Sequence, residues 1–69
     1  MNPQRNYRIP ISPLLSADEI RKTAKTASDD TYFIQITPDP VKGPFAEFHG
    51  DPLDADEIAK QLDQLARTK

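Results

Sequence analysis

The sequence predicts a small two-layer α+β domain in the order β-α-β-β-α. Three observations lead there. The phrase Leu15-Ser16-Ala17-Asp18-Glu19-Ile20 recurs, changed only at its second residue, as Leu53-Asp54-Ala55-Asp56-Glu57-Ile58. Each copy reads as a helix start: Ser16 or Asp54 at the N-cap, Glu19 or Glu57 closing a capping box, and Leu15 or Leu53 stapling onto Ile20 or Ile58. Between the two helices, residues 31–37 are almost wholly β-branched and aromatic, the composition of a strand. With 69 residues of which 36% are hydrophobic, the chain has material for one modest core and one domain, residues 7–69.

The elements follow in order. Residues 1–6 are polar, contain Pro3 and lack periodicity, and read as a flexible N-terminal arm. Tyr7, Ile9 and Ile11 alternate with Arg8 and Pro10, the period of a half-buried strand. Because Pro10 has no N–H to give to a ladder and Pro13 closes the segment, this strand belongs at a sheet edge. The first helix, Ala17 to Ala27, carries a thin stripe of Ala17, Ile20, Ala24 and Ala27. Ser28-Asp29-Asp30 turns the chain into the second strand. There, strict alternation sends Tyr32, Ile34 and Ile36 toward the helices and Phe33 and Gln35 outward.

Three prolines and Gly43 make residues 38–44 a loop, and Phe45 to His49 is the third strand. Its register is open: either Ala46 and Phe48 or Phe45 and Glu47 face the core. Gly50-Asp51-Pro52 leads into the second helix, about Ala55 to Ala66, whose Ile58, Leu62 and Leu65 make it the main hydrophobic contributor. The two helix phrases lie 38 residues apart. That offset makes strand 1 with helix 1 the counterpart of strand 3 with helix 2, as in a truncated split βαβ, ferredoxin-like plan. Such a plan orders the three-stranded sheet 1-3-2, puts both helices on one face, and leaves a fourth-strand position vacant beside strand 1.

Composition excludes several function classes. Cysteine is absent, so there are neither disulfides nor thiolate metal sites. No apolar run reaches the eighteen or so residues of a membrane span, and the opening residues lack a signal-peptide core, so a soluble, cytoplasmic protein without membrane contact is expected. The net charge of −2 hides an asymmetry, +3 over residues 1–28 and −5 over 29–69. An acidic C-terminal half opposes phosphate binding and makes a nucleic-acid partner the weaker expectation.

No constellation points to catalysis. Glu47, His49 and Asp51 alternate along one strand and its exit, yet His49 is the only histidine and no second element adds ligands, so no metal or cofactor is expected. Ser16 serves as a cap, His49 has no neighbouring nucleophile, and a glycine-rich phosphate loop is missing, which together read as a non-enzyme. The expected function is a protein-interaction module that binds a partner, or a second copy of itself, through the open sheet face or the strand-1 edge. Its contact residues would be Arg8, Phe33, Gln35, Phe45 and His49. The alternative is a weak single-stranded nucleic-acid binder, with Phe33 and Phe45 as stacking platforms and Arg5, Arg8, Arg21, Lys22 and Lys25 as the cationic rim.

Overall fold

A computed structural model describes residues 4–69. The element order is β1 (Arg5–Pro10), α1 (Ala17–Ala27), β2 (Tyr32–Thr37), β3 (Phe45–Gly50), a one-turn 3-10 helix (Pro52–Asp54) and α2 (Ala55–Arg67). The three strands form one sheet ordered β1-β3-β2, with β3 antiparallel to both neighbours. This is the α+β plan read from the sequence. Of the arm expected over residues 1–6, residues 1–3 lie outside the described residues, whereas Arg5 and Asn6 already belong to β1, opposite Gly50 and His49.

One side of the sheet and the two helices enclose the core: Ile9, Leu15, Ile20, Ala24, Ala46, Phe48, Ile58 and Leu62. Each helix contributes its apolar stripe, Ile20 and Ala24 from α1 and Ile58 and Leu62 from α2. The register left open by the sequence is resolved in favour of Ala46 and Phe48 inward, both fully buried. Phe48 sits at the centre of an aromatic row across the sheet, its ring 5.8 Å from Tyr7 on β1 and 5.7 Å from Phe33 on β2.

That row overturns the expected orientation of β2. Phe33 faces the helices, where it packs against the core, while Tyr32 is 65% and Ile34 44% exposed. The reason is a bulge. Phe33 stands opposite Phe48 and Gln35 opposite Glu47, so Ile34 is an extra residue without a partner on β3. Strict alternation from an inward Phe33 would bury the Gln35 amide; strict alternation from an inward Ile36 would expel Phe33. The extra residue reverses the phase, letting Phe33 meet Phe48 and Ile36 meet Ala46 while Gln35 stays outside.

The two copies of the helix-start phrase behave differently. Ser16 and Glu19 form the full capping box, with Leu15 and Ile20 both buried behind it. At the second copy no capping box forms, correcting the sequence expectation: Asp54 makes no side-chain cap bond and Leu53 is 75% exposed. Asp51 takes the cap instead, accepting from the Leu53 N–H to start the 3-10 turn on Pro52. The Asp54 carboxylate is thereby free to accept a 2.7 Å hydrogen bond from Ser28 Oγ, tying the start of α2 to the end of α1. At the opposite ends of the helices, Lys69 pairs with Glu19.

Candidate functional site

With both helices on one side, the other face of the sheet is open. β3 alternates Ala46, Phe48 and Gly50 inward with Phe45, Glu47 and His49 outward, so the outer residues line up in rungs with their neighbours on β1 and β2. One rung joins Asn6, His49 and Tyr32; the next joins Arg8, Glu47 and Gln35; the third joins Pro10, Phe45 and Thr37. Hydrogen bonds tie two of these together. His49 Nδ1 lies 2.6 Å from Asn6 Oδ1, and the Gln35 amide donates to Glu47 Oε1 at 2.9 Å.

Four of the five expected contact residues, Arg8, Gln35, Phe45 and His49, therefore belong to this face, as the sequence reading had them. Phe33 does not. It lies on the helix side, edge-on to Phe48, with the Arg21 guanidinium carbon 6.0 Å from its ring centre. In its place the face and its margin gain Tyr32 and Ile34, both expected inside. The polar character of the rungs is that of an ordinary solvated sheet face. Of the exposed large apolar residues, three lie together on β2: Tyr32, Ile34 and, at 36% exposed, Ile36.

The sheet has two outer edges, and their chemistry differs. β1 carries Arg5, Arg8 and Pro10, features that discourage strand pairing. β2, reading Tyr-Phe-Ile-Gln-Ile-Thr, has neither charge nor proline over its whole length. Beside its first half runs a groove of about 410 Å³ between α1 and β2, lined by Arg21, Lys25, Asp29, Thr31, Tyr32 and Phe33. At the far end of the open face, Arg8, Thr37, Asp39, Lys42 and Phe45 line a second hollow of about 350 Å³. The Asp39 carboxylate there is committed to the loop. It accepts the Lys42 and Val41 N–H groups, which hold its pKa below the ordinary carboxylate value.

A buried polar cluster closes the end of the sheet where β3 leaves it. Thr31 is 5% exposed, and its hydroxyl and that of Tyr7 are buried near one another, off good hydrogen-bond geometry. Burial raises the pKa of the Tyr7 phenol; the Thr31 hydroxyl opposes the rise, and the Asp54 and Asp51 carboxylates add to it. Gly50 completes the packing, because a Cβ there would come within 2.8 Å of Thr31 Oγ1 and 3.1 Å of Thr31 Cα. These groups are enclosed rather than presented to a ligand. Among the described residues no cluster of three or more His, Asp or Glu could hold a metal ion, so Glu47, His49 and Asp51 do not converge. No described helix is long and apolar enough to cross a membrane. Comparison finds no matching family model, no similar curated protein and no similar solved structure.

Proposed function

We propose that the protein is a small interaction module, a binder rather than an enzyme, that takes up a strand of a protein partner at the free edge of β2. The observation that carries this reading is the edge itself: six residues without charge or proline, exposing Tyr32, Ile34 and Ile36. Unpaired N–H and C=O groups in such a strand recruit another strand unless charges, proline or a covering element block them. The open face alongside, with Arg8, Gln35, Phe45 and His49, supplies the polar rim for a larger partner. The strand-1 edge is the weaker docking edge on the same grounds.

The single-stranded nucleic-acid reading loses support from the geometry. Phe33, one of its two stacking rings, packs against Phe48 on the helix side. Its cations are divided, with Arg21, Lys22 and Lys25 on α1 and Arg8 on the open face.

Recovery of the tagged full chain with its bound partners, after nuclease treatment, tests the proposal when three forms are compared. The wild type and His49→Ala should retain a protein partner that Ile34→Lys loses, since a lysine in mid-edge blocks strand pairing without touching the core. A partner lost with His49→Ala but kept with Ile34→Lys would move the site to the open face. Recovery that vanishes with nuclease would replace the proposal with nucleic-acid binding.

A further inference from the structure

The groove beside β2 says what kind of strand fits. An incoming strand that extends the sheet places alternate side chains on the helix side, where they enter the space between β2 and α1. At the Phe33 end this space offers an aromatic ring below and two cations on its α1 wall. Arg21 leans over the Phe33 ring and is held at 3.1 Å by Asp18, its own side chain 61% exposed. The side chain of Lys25, one turn on, makes no ion pair or hydrogen bond among the described residues. Asp29 is the one carboxylate lining the groove. A cationic wall over an apolar floor suits a side chain with an apolar stem and an anionic tip.

We propose, resting on the strand-addition reading above, that the occupant is an extended acidic segment. It pairs with β2 and seats a glutamate or aspartate in the groove, methylenes on Phe33 and carboxylate toward Lys25 and Arg21. Charge complementarity selects this occupant over a second copy. Pairing β2 with β2 would bring two α1 helices, each carrying Arg21, Lys22 and Lys25, to the same side of one sheet, where like charges oppose approach. It also selects against basic segments, whose lysines would meet the same wall.

The test is a titration of the ¹⁵N-labelled full chain followed by backbone amide shifts. Three capped synthetic octapeptides serve as probes: alternating Glu/Val, alternating Lys/Val, and the Glu/Val peptide with alternate backbone amides N-methylated. The Glu/Val peptide should shift the amides of residues 31–37 together with those of Arg21 and Lys25. Binding should weaken about five- to tenfold in Lys25→Glu, the scale of one partly exposed ion pair lost and reversed. The Lys/Val and N-methylated peptides should bind at least as poorly. Equal shifts of residues 31–37 by the Glu/Val and Lys/Val peptides would overturn the acidic preference and leave strand addition standing. Undiminished binding of the N-methylated peptide, or no shift in β2 with any probe, would overturn strand addition and the acidic preference with it.

Discussion

Replacing Phe33 by serine should remove a large share of the domain's stability, whereas the same change at its neighbour Tyr32 should hardly matter. Phe33 is partly buried against the core, edge-on to Phe48 at 5.7 Å and beneath Arg21 at 6.0 Å. Removing a fully buried phenylalanine costs about 3–5 kcal/mol. Partial exposure reduces that burial contribution, and the lost edge-to-face pair restores about 1 kcal/mol, for an expected loss of about 2–3 kcal/mol. A core of this size supplies only about 3–5 kcal/mol of net stability, so the loss is a large share of it. In a domain of this length the melting temperature should fall by about 10–20 °C. Tyr32, 65% exposed and opposite His49 on the open face, should cost less than about 1 kcal/mol as serine. Urea and thermal unfolding followed by circular dichroism compare the two, with Leu62→Ala, at a 2% exposed core position, as the reference for a severe loss. Tyr32→Ser melting as low as Leu62→Ala while Phe33→Ser stays near wild type would refute the bulge and the aromatic row together.

Three further predictions rest on other parts of the structure. Gly50→Ala should cost about 1–3 kcal/mol by overpacking, since the added methyl meets Thr31 Oγ1 at 2.8 Å and backbone behind it; an unchanged urea midpoint would contradict that close approach. Ser16→Ala should cost about 1 kcal/mol through its lost cap, whereas Leu53→Ala, at an exposed position that staples nothing, should leave the midpoint unchanged. The Tyr7 phenol has a folded pKa raised by burial, so its stabilising contribution is complete below the ordinary phenol value of about 10 and is lost as pH rises toward the folded value. Urea midpoints of wild type should therefore drop more steeply above about pH 9 than those of Tyr7→Phe, and parallel curves would contradict the buried phenol.

The elements were legible because their signals are local. The Ser16-x-x-Glu19 box, the alanine stripe of α1 and the Ile58/Leu62 face of α2 each depend on neighbours within two turns, and each forms as read. The sheet order followed from the internal offset of the two halves, which relates Leu15 to Leu53 whatever the loops do. What escaped depends on contacts across the sheet. The phase of β2 is set by Phe48, 15 positions away from Phe33, whose ring packs on that of Phe33 and is itself backed by Tyr7, with an extra residue at Ile34. The second helix starts at Ala55 as read, and the absence of its capping box did carry a local signal. Asp51-Pro52 is itself a cap followed by a first-turn proline, and it begins a turn three residues before Asp54 can act. The contrast between a charged, proline-bearing β1 and a bare β2 was likewise present in the sequence, although the strand-1 edge was the one expected to dock; with both strands outermost in the order 1-3-2, the contrast supports the proposed β2 edge instead.

Absence of cysteine from the chain permits a direct measurement of what β2 presents. Single cysteines placed at positions 32, 33 and 34 can be labelled with a small maleimide under native conditions, with and without the Glu/Val peptide. Cysteines at 32 and 34 should label at close to the unfolded rate and the one at 33 much more slowly, and the peptide should protect position 34 at the free edge. Fast labelling at 33 with slow labelling at 32 and 34 would contradict the account, because β2 would then turn its apolar side chains to the helices and offer no apolar edge to a partner.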